Sequence, residues 1–407
     1  MMIESLTKCA ARHLPEALEW LRRMVEVNSF TTNIAGIEAV GRVTADCFED
    51  LGFTAEFVQA EDRGHGPHLF LRRPGTEARA RPVMLVTHLD TVFPPDEELQ
   101  NDFRWSVEGE RIYGPGSVDN KGGTALIWLM LRVMRDVLPD LFEGTSWLIG
   151  ANSAEEVISS DFARRSEERC AGDARCVLIF EGGQRDHEGF HIVTSRKGRL
   201  EYRITCKGRA AHAGSNLAQG INAVVELARL LPTIHALNDP ARDLSVNIAN
   251  VRGGTVLNRV PHEASAELEM RAFEPDVLAD GAATLEALAG KNEAGAEIVV
   301  ERLGATVAWP GGQGGEALFS SWRKAGDSMN LSVHQMARGG LSDANYLCHL
   351  GPTLDGMGPN GGNAHCSERS EDGSKTPEFV DVSSFVPKAV MNVLAMLELL
   401  SSNRNTA

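Results

Sequence analysis

The sequence predicts an α/β protein: a mixed, largely parallel sheet flanked by helices, with a smaller α+β domain inserted into it. Three observations carry this expectation. Residues 83–87 (VMLVT), 146–150 (SWLIG) and 176–180 (CVLIF) are short, unbroken apolar runs, the pattern of strands buried on both faces. Each run is followed by acids or imidazole: His88 and Asp90 after the first, Glu155 and Glu156 after the second, Glu181 after the third. Beyond residue 190 the pattern changes to alternating strands, clearest in EASAELEMRA at 263–272. Such strands are exposed on one face and belong to an antiparallel sheet. The expected division is therefore 1–192 with 305–407 as one discontinuous domain, and 193–304 as the insertion.

Taken in order, the chain opens with an amphipathic helix from about Pro15 to Val27 and a second over 34–51, stopped by Gly52. Short strands are expected at 53–58 and 68–71. His65 and His68, in a turn flanked by Gly and Pro, are expected to be solvated surface residues. A loop over 91–117 leads into GPGSVDNKGG at 114–123 and a helix over 124–137. In the inserted region strands are expected within 190–207 and at 243–251, 263–272 and 297–302, with helices at 216–233 and 277–288. The chain then returns to α/β character, with helices at 314–329 and 382–400 and a Gly-rich turn, GGLSDAN, at 339–345.

In open α/β sheets the ligand crevice lies beyond the carboxyl ends of the strands. His88 would sit on that lip, and a metal-ligating histidine usually gives its other ring nitrogen to a carboxylate or carbonyl. The alternative is a strand-end histidine held for structural reasons only. Convergence of three such strand ends weakens that alternative. Glu155 and Glu156 are adjacent and cannot point the same way, so one can bind a cation while the other takes a proton from water. An acidic pair favoured by a helix dipole is the competing explanation. Glycines on both sides of Asp119 let the backbone approach something closely. The Walker spacing of a phosphate loop is absent, and an aspartate would repel phosphate, so a cation is the better partner.

Further candidates are His212 in GRAAHAGS, Asn258 in GGTVLNRVP, Arg271 at a strand end and His365 in GGNAHCS. Cys366 is read as a bystander, because the surrounding candidates are carboxylates and imidazoles rather than soft ligands. His13, His187, His191, His235, His262, His334 and His349 have no partnered spacing and are expected to be structural or surface residues.

At 407 residues two domains are the natural expectation. A net charge of −16 argues against nucleic acid, whose phosphates demand a basic face. Seven cysteines, without a C-x-x-C pair, fit reduced thiols in the cytoplasm. The polar, charged N-terminus has no signal-like apolar core, and no membrane partner is expected.

With these residues assembled, the chain resembles the co-catalytic zinc metallopeptidase family of glutamate carboxypeptidase, acetylornithine deacetylase, succinyl-diaminopimelate desuccinylase and aminoacylase. The matching pieces run through the whole length in order: THLDTV, GPGSVDNKGG, SAEEV, FEGG, GRAAHAGS, LNRVPHEASAELEMR, GGLSDAN and AHCSE. The resemblance implies a phosphorylase/hydrolase-like catalytic domain and a ferredoxin-like inserted domain for dimerisation, acting as a lid. It implies two divalent ions, zinc foremost, with manganese or cobalt as alternatives. One would be held by His88, Asp119 and Glu181, the other by Asp119, Glu156 and His365. Glu155 would be the general base and Asp90 would orient His88. His212, Asn258 and Arg271 would handle the substrate carboxylate and developing oxyanion, and the Gly339–Gly340 turn would line the carboxylate site.

The implied activity is hydrolysis of an amide bond, peptide or N-acyl, in a small carboxylate-bearing substrate by a homodimer. Deamination of a small aromatic or heterocyclic substrate on the same site is a second reading. A non-catalytic binding protein is a third, and it would not be expected to keep every ligand position filled. The chain departs from the family at Ala154, where many relatives have an acid. It also lacks a second basic residue in GATVAWPGGQGG, so the metal chemistry is implied more firmly than glutamate specificity.

Overall fold

The computed structural model describes residues 1–76, 81–157 and 159–401. The chain divides into two compact units. The first comprises Met1–Thr194, Gly311–Met336 and Ser342–Ala407, and the second Ser195–Pro310 with Ala337–Leu341. The expected insertion, 193–304, thus extends to Pro310 and takes in a further short segment that carries Gly339 and Gly340.

The first unit is built on a six-stranded sheet. In spatial order its strands are Thr54–Val58, His68–Arg73, Trp147–Asn152, Val83–His88, Cys176–Ile179 and Thr353–Leu354. His68–Arg73 runs antiparallel to its neighbours, and the other pairings are parallel. The three apolar runs are adjacent, and every residue of all three strands is buried. That is why they read as continuous rather than alternating apolar sequence. Register matches Val83 with Trp147 and His88 with Asn152, so the three chain segments leave the sheet at the same edge.

Helix Lys121–Val137 packs against this sheet, with Met2–Val25 and Phe385–Ser401 over it. Burial of Leu126, Trp128, Leu129, Met130, Val133 and Met134 between these layers forms the main core. The first helix starts well before the expected Pro15, which lies inside it. A proline in a long helix removes only one backbone donor when packing fixes the rest. Segment Val382–Ser401 is long and apolar enough to cross a membrane by length and composition, a property the sequence reading passed over. Here Phe385, Val390, Met391, Val393 and Met396 are buried in the core.

His68 is the clear correction. It is fully buried, with Nε2 3.2 Å from Asp161 Oδ2 and Nδ1 accepting from the Ser153 backbone N–H and, at 3.1 Å, meeting its hydroxyl. The flanking Gly and Pro made the segment look like a surface turn, although His68 is the first residue of a strand. The 91–117 loop also contains more structure than expected, including helix Pro95–Gln100 and strands Ser106–Glu108 and Arg111–Tyr113.

The second unit is a five-stranded antiparallel sheet. Its order is Ser245–Gly253, Glu263–Ala272, Gly198–Lys207, Glu297–Thr306 and Gly290–Lys291. Burial alternates strictly along the two central strands. Their inward face, including Tyr202, Ile204, Ala266, Leu268 and Met270, packs on helices Ala223–His235 and Pro275–Glu286. The helix expected at 216–233 starts only at Ala223, because Asn222 caps it by accepting from Val224 and Val225 N–H.

Candidate metal centre

The carboxyl edge of the three buried strands collects the acids and imidazoles. His88 ends its own strand, Glu155 and Glu156 follow Trp147–Asn152, and Glu181 follows Cys176–Ile179. Asp119 arrives from the turn before helix Lys121–Val137. Close approach requires glycine there: a Cβ at Gly123 would lie 2.2 Å from the Phe180 carbonyl oxygen and 2.0 Å from Asn120 Oδ1. Thr87 Oγ1 lies 3.3 Å from Asn120 O and 2.9 Å from the Thr124 hydroxyl, fixing the turn to the strand end. His365 comes from the loop after Gly361–Gly362, with φ of 66°. Left-handed backbone costs energy in a non-glycine residue, and such strain concentrates at functional sites.

Asp119 stands between the two imidazoles. Its Oδ1 is 2.9 Å from His88 Nε2, and its Oδ2 is 3.4 Å from His365 Nε2. His365 Nε2 is also 3.3 Å from Glu156 Oε2, and His88 Nε2 is 3.7 Å from Glu181 Oε1. Ligand atoms of His88, Asp119 and Glu156 all lie within 4.8 Å of one another. On its other side His88 Nδ1 meets the Asp90 carbonyl at 3.0 Å and the Asp90 carboxylate at 3.4 Å. Asp90 is itself fully buried and accepts from Thr31 Oγ1 and from the backbone N–H groups of Glu155 and Glu156. One carboxylate therefore orients both the histidine and the acidic pair.

The electrostatics show a site crowded with negative charge. Burial, then the charges of Glu181, Asp343 and Glu156, pushes the Glu155 carboxyl well above its usual range despite the opposing effect of His88. Burial also raises Glu156. Against burial, hydrogen bonds from His365 and His88 hold Asp119 far below the usual aspartate range. Hydrogen bonds to Asp119 and Glu156 raise His365 to about 10. Two imidazoles and at least three carboxylates converging in a low-dielectric crevice are donors that could hold a divalent metal ion.

Three supporting residues escaped the sequence reading. Glu378 is fully buried, and its Oε1 accepts from the Val118 and Asp119 N–H groups. Burial and the Asp119 charge push its carboxyl up to about 8. Asp343 accepts from Asn152 Nδ2 at 2.8 Å, and burial brings it to about 7. Asn120 donates to Glu181 Oε1 at 2.9 Å. A glutamate inside the apolar stretch PEFVDV was the available signal for Glu378. Asp343 lay within the recognised GGLSDAN motif, but nothing in its spacing showed burial. The Cys366 thiol meets the Glu368 carbonyl oxygen, and the Cys366 carbonyl accepts from the Glu378 N–H at 2.7 Å.

The remaining candidates lie in the second unit and form two separate pairs. His212 is bridged to Arg259, and the Ala213 N–H donates to the Asn258 carbonyl, so His212 and Asn258 are neighbours. His212 Nδ1 accepts from the Gly214 and Ser215 N–H groups, which makes Nε2 the protonated nitrogen. Arg271 makes a bidentate pair with Glu269 and donates through Nη1 to the Gly339 carbonyl at 3.0 Å. The Gly340 carbonyl accepts from the buried Arg196 at 2.8 Å. These pairs sit at opposite ends of the sheet. Arg271 is paired with Arg199 near one end of the central strand, and Lys207, just before the His212 loop, is paired with Glu263 at the other.

Residues 194–296 match the family model of a peptidase dimerisation domain. The chain is 26% identical to carboxypeptidase G2 of a Pseudomonas species over 402 residues, covering 97% of this chain and 92% of that one. It is 26% identical to succinyl-diaminopimelate desuccinylase of Novosphingobium aromaticivorans, covering 75% and 81%. Among solved structures, an M20 family metallo-carboxypeptidase from Sulfolobus solfataricus superposes with a TM-score of 0.69 at 16% identity. That match covers 95% of this chain and 99% of the other.

Proposed function

We propose that this chain, a metallohydrolase related to the M20 carboxypeptidases and deacylases and carrying their dimerisation domain, cleaves the amide bond of a small carboxylate-bearing substrate. The observation that carries this reading is the Asp119 carboxylate, which presents one oxygen to each of two imidazoles, with Glu155 buried within the field of His88 and Glu181. Two divalent ions would be held there, one by His88, Asp119 and Glu181 and one by Asp119, Glu156 and His365. Mixed imidazole and carboxylate donors suit zinc, with manganese or cobalt as alternatives. Such ions acidify water and polarise carbonyls.

The remaining steps belong to the chain's own residues. Glu155 accepts a proton from the attacking water and returns it to the departing amide nitrogen, the work of a base whose affinity for protons has been raised. Asp90 fixes the tautomer of His88 and anchors the backbone of Glu155 and Glu156. His212 offers its Nε2–H to the developing oxyanion. Arg271 receives the substrate carboxylate, for which a planar guanidinium fork is suited. Glu269 already occupies that fork, so the substrate must compete with it.

The assembly supported by the family match is a homodimer through the inserted unit. From Glu263 to Arg271 the strand rises about 26 Å at ~3.3 Å per residue. A small substrate that met Arg271 at one end would leave His212 at the other, free to serve the active site of the partner subunit. On this reading His212 acts on the partner's substrate. An exposed apolar face supports this: Val224, Val225 and Val251 are 39–55% exposed beside the edge strand Ser245–Gly253, and Leu257 is fully exposed. The seven unbridged cysteines suit a cytoplasmic setting.

The test is release of amino acid from a panel of N-acyl amino acids and dipeptides by zinc- or manganese-loaded protein. Hydrolysis of carboxylate-bearing members, abolished by chelation, is expected. Ammonia release from aromatic or heterocyclic amines without any amide cleavage would replace this reading with deamination.

A further inference from the structure

A second group of ligand atoms lies apart from the strand-end crevice and shares no residue with it. The chain turns at residues 186–189 between short strands Gln184–Arg185 and Phe190–Arg196. Ligand atoms of Asp186, Glu188 and His191 there lie within 4.8 Å of one another. Asp186 Oδ1 is engaged by the Glu188 and Gly189 N–H groups, at 2.8 and 3.3 Å, which turns Oδ2 toward His191. His191 Nε2 is 3.0 Å from that oxygen, yet the ring is not oriented to hydrogen-bond it. His191 is only 8% exposed, and its Nε2 is buried without a hydrogen-bond partner. Buried polar atoms are rarely left so, and a bound ion is one of the few explanations for such an atom. A second imidazole, His334, stands 5.5 Å from His191 between ring centroids and lies 3.1 Å from the Glu188 carbonyl oxygen through Nε2.

We propose that Asp186, Glu188 and His191 form a peripheral binding site for a borderline divalent transition ion such as Zn²⁺, with His334 beside it as a further imidazole. The donor set decides the class of ion. Imidazole with carboxylates selects zinc, nickel or copper over calcium and magnesium, which take oxygen ligands. Three protein donors leave a position open to water or to His334. The other compact cluster, Cys9, His13 and Asp136, differs in one decisive respect. Arg12 Nη2 lies 2.9 Å from Asp136 and 3.5 Å from Cys9 Sγ, so a cation already satisfies it. No basic side chain is described among the contacts of Asp186 and Glu188 other than the two histidines.

A bound ion would tie the hairpin turn to Val333–Arg338, the strand that carries His334, and would stabilise the folded state by mass action. The experiment is equilibrium dialysis of the full-length protein against excess Zn²⁺, with metal analysis, compared with Glu188→Gln and His191→Ala. Glu188 is exposed, so its variant tests the site without disturbing the core. Each variant is expected to bind about one equivalent less than wild type, or to need at least about tenfold more zinc to reach it. Hydrolytic activity of the loaded enzyme should be unchanged, because none of these residues belongs to the strand-end cluster. Zinc binding by Glu188→Gln equal to wild type in amount and affinity would overturn the proposal, whatever His191→Ala does. Loss of equivalents together with loss of hydrolysis would also overturn it, by assigning the ion to the catalytic cluster.

Discussion

The strand-end crevice of the first unit and the sheet of the second unit solve different problems. In the crevice, neighbouring parallel strands end in register, so residues far apart in sequence arrive at one edge of one sheet. His88, Glu155, Glu156 and Glu181 need only the sheet, and Asp119 and His365 join them from adjacent loops. In the second unit the candidates are spread over both ends of a ten-residue strand, so the proposed substrate contacts are divided between them. On the proposed reading, one chain would carry the whole apparatus for activating water and only part of the one for holding substrate. That difference teaches what dimerisation would add on this reading: two-fold symmetry would supply the missing half.

The comparison breaks most severely at Asp119. Asp119→Ala removes the carboxylate between the two imidazoles, and activity is expected to fall to background, with metal analysis showing weakened binding at both positions. If only one equivalent is lost while the other stays tight, the carboxylate is not shared. Glu155→Gln sharpens the same region by separating proton transfer from ligation. It should lower kcat by ~10²–10⁴-fold with full metal content, and a variant that comes out metal-poor would make Glu155 a ligand.

In the second unit Arg271→Lys should reduce kcat/KM for free-acid substrates by roughly 10–100-fold, and for their amides far less, since lysine lacks the planar fork. Equal losses on both would reduce Arg271 to a structural partner of Glu269. Glu269→Gln, which frees the guanidinium, should lower KM for free acids by roughly 2–5-fold, a weak effect because the ion pair is partly solvated.

The smallest expected effect is one of stability. Burial raises the Glu378 carboxyl to about 8 in the folded protein, above its ordinary unfolded value near 4.3. A raised acid stabilises the fold while protonated, so its contribution is complete below about pH 4 and is lost as pH rises through about 8. Glu378→Gln keeps the oxygen that accepts from Val118 and Asp119 but cannot ionise. Between pH 6 and 9 the metal-free variant should therefore lose less Tm than wild type, by roughly 1–3 °C. Parallel Tm curves would show that Glu378 does not ionise in this range.

What could be read in the sequence follows the same division. The buried strands were legible because strands covered on both faces leave unbroken apolar runs, and their terminal acids stood out against them. The alternating strands of the insertion were legible for the opposite reason, period two with one face wet. Helix Met2–Val25 was underestimated because Pro15 reads as a start, and His68 was misplaced because Gly66 and Pro67 read as surface. Glu378 and Asp343 were invisible as site residues, since each matters through burial and a backbone or amide partner that only the fold supplies. His191 was passed over for a related reason. Its partners, Asp186 and Glu188, lie across a hairpin turn, and its lack of a hydrogen bond is a fact of geometry.

The central claim is that each active site joins the water-activating crevice of one subunit to His212 of the other. Subunit mixing tests it most directly. Glu155→Ala and His212→Ala proteins, each inactive alone, are combined, and exchange is first demonstrated by native mass spectrometry of tagged chains. About half of the dimers are then mixed, and each mixed dimer holds one site with both residues intact, so about a quarter of wild-type activity should return. If exchange is proven and the mixture stays inactive, His212 works within its own chain and the account of the second unit as half a site is wrong.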